Sequence, residues 1–140
     1  LWMLLKLHNP KFNTSVMDLM KNGLAKDGYL ENIGWKHTTI VELAKDFGLE
    51  LQYAKRFFYT LEEKESGLLI INRNLENGQP VLVSIHGTQN SHMLVAHGLK
   101  ESDDKVIGYY IQDPDGRVHG HNYFLTKQEF LSNWRGGLIY

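Results

Sequence analysis

The sequence predicts an α+β fold with N-terminal helices packed on a mostly antiparallel sheet, and three observations carry that prediction. Apolar residues recur at helical spacing through the first half, as in Ile40, Leu43, Ala44 and Phe47. Short β-branched runs follow Pro80, beginning with residues 81–85. Strand candidates in that half are joined by brief polar turns, the connection that antiparallel neighbours need.

Element by element, Leu1, Leu4 and Leu5 share a helical face, and Asn9-Pro10 ends the segment because proline disfavours helical backbone in the preceding residue. Asn13-Thr14-Ser15 offers capping side chains to a short second helix over Val16, Leu19 and Met20, with Gly23 as its stop. Thr38 or Thr39 caps a third helix, which Gly48 closes. Residues 49–59 fit a strand followed by loop or helix. A long helix over 62–77 carries Leu68, Leu69, Ile71 and Leu75 at roughly helical spacing, and Gly78-Gln79-Pro80 punctuates it. Residues 93–99 and 105–112 form a hairpin around the polar turn 101–104. Asp113-Pro114-Asp115-Gly116 is a turn, since proline fixes φ and glycine accepts positive φ. Thr126 caps a late helix over 126–134 with Glu129 three residues on, and Gly136-Gly137 releases a final strand, 138–140.

With 140 residues and 42% of them hydrophobic, the chain can build one core, and residues 1–140 are expected to form a single domain. The formal charge is -1 and acids and bases are interspersed, so the basic field that nucleic acid selects is missing and no nucleic-acid partner is expected. No apolar run approaches the roughly 20 residues that span a bilayer. Cysteine is absent, which removes disulfides, thiolate metal sites and cysteine nucleophiles from these residues. Such a count fits reducing and oxidising compartments alike. The chain opens at Leu1 inside an apolar stretch, and an upstream segment is expected.

Two residues could carry chemistry. His92 stands where the polar stretch 87–90 gives way to Met93-Leu94-Val95-Ala96, and Asp113 stands where the next apolar strand ends. In an antiparallel hairpin the start of one strand lies beside the end of the next, so imidazole and carboxylate can meet although distant in sequence. A carboxylate that engages one ring nitrogen fixes the tautomer and leaves the other nitrogen to act as general base. The same residues also fit an ordinary hydrogen-bonding histidine and a turn without function.

The ordered set Gly78-Gln79-Pro80-Val81-Leu82-Val83-Ser84, Ser91-His92-Met93-Leu94-Val95-Ala96-His97-Gly98, Tyr110-Ile111-Gln112-Asp113-Pro114 and 125–134 resembles the bacterial cysteine peptidases of family thirty-nine, papain-like enzymes that include the double-glycine leader peptidases. The resemblance implies a papain-like cysteine proteinase fold, with His92 as general base and Asp113 orienting it. It implies a peptide or protein substrate and no cofactor. The family's nucleophile is a cysteine at the start of the first long helix, where the helix dipole lowers the thiol pKa. Leu1-Trp2-Met3-Leu4-Leu5 looks like the continuation of that helix, so the cysteine is expected about one turn upstream of Leu1. Relatives attached to membrane transporters include domains without the cysteine, thought to bind peptides uncut, and this is the alternative: a non-catalytic peptide-binding domain of the same fold. In such a domain Trp35, Tyr123 and Trp134 could wall a groove for an extended peptide.

Other chemistries are weaker. Ser84, Thr88 and Ser91 sit in no Gly-x-Ser-x-Gly elbow. His119 and His121 flank Gly120, with His86 and His97 elsewhere near the sheet, but zinc needs three or four convergent ligands and no His-Glu-x-x-His segment is present. No metal is expected.

Overall fold

In the computed structural model, which describes residues 1–54, 58–86, 91–115 and 120–140 (Ser91 by its main chain alone), the chain divides into two units. One comprises Leu1–Tyr53 with Ile139, the other Ala54–Leu138 with Tyr140. Among the described residues no helix is long and apolar enough to cross a membrane.

The first unit holds α1 (Trp2–His8), α2 (Val16–Ala25), a two-stranded antiparallel ribbon of β1 (Tyr29–Leu30) and β2 (Gly34–Trp35), and α3 (His37–Asp46). Leu5, Phe12 and Leu19 form one of its buried clusters, with Phe47 meeting Phe12 edge to face at 5.2 Å, and Leu4, Ile40, Leu43 and Ala44 are buried as well. Ser15 caps α2 as expected, accepting the Asp18 N–H at 3.1 Å. Gly23, expected to stop α2, lies inside it instead. A β-carbon there would sit 2.5 Å from the Trp35 ring, so the glycine serves close packing and the helix runs on to Ala25. Neither Thr38 nor Thr39 caps α3. Lys36 holds that place without a side-chain bond, because its N–H is tied to Gly28 O at 2.8 Å and fixes where the backbone turns into the helix. Gly48 ends α3 at φ +79, as read from the sequence. Among the described residues of 49–59 no strand forms. Tyr53 makes an isolated bridge to Ile139, and 55–57 lie outside the described residues.

The second unit contains α4 (Leu61–Glu76), β3 (Val81–His86), β4 (Ser91–Ser102), β5 (Lys105–Gln112), β6 (Asn122–Thr126), α5 (Lys127–Asn133) and β7 (Trp134–Ile139). The sheet order is β6-β5-β4-β3-β7, antiparallel at the β3–β4, β4–β5 and β5–β6 pairings, and the fold class is α+β as predicted. Both helices of this unit begin with reciprocal caps. Thr60 Oγ1 accepts the Glu63 N–H while Glu63 bonds back to the Thr60 N–H, and Thr126 and Glu129 do the same for α5. Thr60→Ala is therefore expected to cost about 1 kcal/mol, read as a melting temperature lowered by roughly 3–4 °C.

α4 and α5 lie against β3 to β6, and the core between them holds Leu68, Ile71, Leu75, Val81, Val83, Leu94, Ala96, Tyr109, Ile111, Phe130 and Trp134. Burial holds the Tyr109 phenol well above its usual range, and its hydroxyl donates to Asn72 Oδ1 at 2.9 Å. Leu69, included in the helical pattern, is 71% exposed, because Leu68, Ile71 and Leu75 form one buried stripe and position 69 lies about 100° round the helix from Leu68, off that stripe. The last helix stops at Asn133, and the last strand already begins at Trp134. Gly136 does not break that strand. It takes φ +90, its carbonyl accepts the Phe58 N–H at 3.1 Å, and a β-carbon there would collide with the Phe58 main chain. β1, β2 and β6 were not anticipated. Two-residue strands carry no periodicity, and exposed Phe124 obscures the alternation of Tyr123 and Leu125 in β6.

Candidate active site

Strand register brings the two chemistry-bearing residues together. β3 and β4 pair Val83 with Leu94 and Ile85 with His92, while β4 and β5 pair Ala96 with Ile111. Val83, Leu94, Ala96 and Ile111 all point into the core under α4 and α5. Side chains alternate along a strand, so His92, two residues before Leu94, and Asp113, two after Ile111, stand on that same face at its end. A register slip of one residue in either strand would send one of them to the opposite face.

The two side chains meet. His92 Nε2 lies 2.6 Å from Asp113 Oδ1, with the aspartate side chain 8% exposed and the imidazole 29% exposed. A carboxylate only accepts, so Nε2–H is the donor and Nδ1 is the nitrogen left for chemistry. The Asp115 N–H donates to the same carboxylate oxygen at 2.7 Å, closing a local turn. The Asp113 backbone is held as well. Its N–H donates to His121 O at 2.8 Å, and its carbonyl accepts from His121 Nδ1 at 2.9 Å.

Tyr123 pairs with Ile111 and so shares this face. Burial, and after it the charge of Asp113, pushes its phenol up to about 12. Near Asp113 the phenol therefore stays a neutral hydroxyl at ordinary pH. An unfolded tyrosine ionises near 10, so this residue's share of stability is intact below that pH and is lost as pH rises from about 10 through 12.

The other candidates separate. Ser84 is buried and pairs with Met93, one residue out of phase with the Ile85–His92 pair, so its hydroxyl lies on the face opposite His92. Thr88, His119 and Gly116 lie outside the described residues, and the side chain of Ser91 is not described. His121 is engaged with Asp113, and His97 stacks near Tyr110 at 6.4 Å. Among the described residues no group of three His, Cys, Asp or Glu is placed to hold a metal ion. Trp134 is no groove wall. It is 0% exposed, its Nε1–H donates to Gly137 O at 2.9 Å, and its ring packs in the core. Trp35 is half-buried beside Tyr29 and Gly23. Sequence reasoning missed the support that His121 and Asp115 give to Asp113. The cause is the β5–β6 register, in which Asp113 and His121 extend the Gln112–Asn122 pair by one step, and the unanticipated β6 left no sequence signal for it.

Residues 11–136 match the sequence profile of the Peptidase_C39 like family. No curated protein sequence matches the chain. Among solved structures, the chain is similar to the peptidase domain of Streptococcus ComA, described as a bi-functional ABC transporter involved in a quorum sensing pathway. That match has a TM-score of 0.66 at 22% identity and covers 98% of this chain and 85% of the other. The peptidase domain of Streptococcus mutans ComA matches with a TM-score of 0.52 at 22% identity, covering 91% of this chain and 93% of that one. These likenesses bear out the papain-like reading of the fold.

Proposed function

Because the chain belongs to the Peptidase_C39 like family, we propose that residues 1–140 are one peptidase-like domain hydrolysing peptide bonds, with His92 as general base and Asp113 as its orienting carboxylate. The 2.6 Å contact between His92 Nε2 and the buried Asp113 carboxylate carries this reading. It leaves His92 Nδ1 to take a thiol proton. The thiolate then attacks the scissile carbonyl carbon, the imidazolium returns the proton to the leaving amine, and water, deprotonated by the same nitrogen, releases the acyl group. Asp113 holds the tautomer and stabilises the imidazolium throughout.

With no cysteine in these 140 residues, the nucleophile is assigned to the segment upstream of Leu1. By likeness to the ComA peptidase domains, a peptide substrate and attachment to a membrane transporter through regions outside this chain are part of the proposal. The test is the protein extended upstream, treated with a thiol-alkylating reagent and assayed on peptides. One alkylated cysteine whose replacement by alanine stops cleavage is the expected result. The absence of cysteine itself favours a second reading, a peptide-binding domain without catalysis. Saturable peptide binding without cleavage, and no cysteine in the extended chain, would establish that reading instead.

Asp113→Asn is expected to lower kcat by about 10²–10⁴-fold with KM little changed, because the amide can present a donor to Nε2 and invert the tautomer. Steady-state kinetics on the extended protein measures it.

A further inference from the structure

Asp113 is the less exposed member of the pair, and its carboxylate can serve His92 only if its backbone is held in one orientation. The last regular pair between β5 and β6 is Gln112 with Asn122, so Asp113 lies one residue beyond the regular pairing, where a chain end ordinarily frays. Two bonds to His121 prevent that. The main-chain carbonyl of His121 accepts the Asp113 N–H at 2.8 Å, and the His121 imidazole reaches the Asp113 carbonyl through Nδ1 at 2.9 Å. A carbonyl oxygen only accepts, so His121 Nδ1 carries the proton. Residue 120, a glycine at φ +78, lets the chain turn into this position.

We propose that His121 is a positioning residue for the His92–Asp113 pair: its imidazole and carbonyl clamp both polar groups of the Asp113 main chain, so that the carboxylate meets His92 Nε2 in a single orientation. The proposal rests on the reading of that pair as catalytic, but the clamp is measurable without catalysis. His121 is exposed, so replacing it opens no cavity in the core, and an effect at His92 must travel through the Asp113 main chain.

The experiment is nitrogen NMR of the histidine rings in the 140-residue chain, in which long-range couplings report the tautomer of each ring. The expected result is a protonated Nδ1 on His121 and a protonated Nε2 on His92, the latter exchanging slowly with solvent. In His121→Phe, which keeps a ring but no donor, exchange of the His92 Nε2 proton should accelerate by about fivefold, the loss expected for one hydrogen bond. In His121→Asn, whose amide retains an N–H near the position of Nδ1, protection should largely return. His121 found protonated only at Nε2, or His92 unchanged in His121→Phe while the amide spectrum shows that variant folded, overturns the proposal. Should His121→Phe prove unfolded, His121→Asn alone decides, through protection equal to or below that of a His121→Ala chain. Activity separates the two readings: in the extended, cysteine-bearing protein His121→Phe should lower kcat about fivefold at unchanged KM. A clamp seen by NMR with no cleavage in any extended form leaves His121 in place and removes the peptidase reading.

Discussion

His92→Gln in the cysteine-bearing protein is expected to lower kcat by about 10⁴–10⁶-fold, the scale of losing the base of a nucleophile–base pair. The argument is geometric. Nε2 is committed to Asp113, so Nδ1 is the ring nitrogen able to take a proton, and glutamine offers no titrating group in its place. Glutamine does retain an N–H donor for the buried carboxylate. His92→Ala lacks it and leaves Asp113 with the Asp115 N–H as its described partner. The two variants should thus be equally inactive yet differ in stability, alanine costing about 1–3 kcal/mol more for the poorly satisfied buried group. Peptide cleavage kinetics and thermal melts on the same preparations read both effects. More than about a hundredth of the activity surviving in His92→Gln would place the base elsewhere.

Trp134→Ala is expected to destabilise the protein by about 3–5 kcal/mol, lowering the melting temperature by roughly 10–15 °C. The indole is fully buried, lies 5.5 Å from the Phe58 ring and 5.8 Å from Phe130, and spends its N–H on Gly137 O. Gly67 of α4 exists in its shadow: a β-carbon there would come within 2.5 Å of the indole, so a glycine that costs helix propensity of about 1 kcal/mol is the residue that fits. Truncating the tryptophan leaves a cavity that backbone so closely matched cannot fill. Chemical denaturation of wild type and variant measures the loss, and a difference below about 1 kcal/mol would contradict the packing described.

Much of the fold could be read before any coordinates. α1, α4, β3, β5 and the capped start of α5 follow from signals confined to a few neighbouring residues: apolar spacing, a proline, a Thr–Glu pair three apart. Boundaries set by distant partners could not be read that way. Lys36 begins α3 because Gly28 holds its N–H, and α2 passes through Gly23 because Trp35 occupies the space a side chain would need. The glycines at 23 and 136 were read as punctuation, the ordinary local meaning, whereas each marks a close approach by a residue elsewhere in the chain.

The candidate site divides in the same way. That an imidazole and a carboxylate occur at two strand boundaries, and that no thiol accompanies them, was decided by the order of residues alone. Which ring nitrogen the carboxylate takes, that the His121 ring meets the Asp113 main chain, and that Trp134 is core rather than groove were decided by strand register and packing. The reason is that periodicity and capping act over a few residues of backbone, whereas hydrogen-bond partners and burial are properties of segments that meet only when the chain has folded.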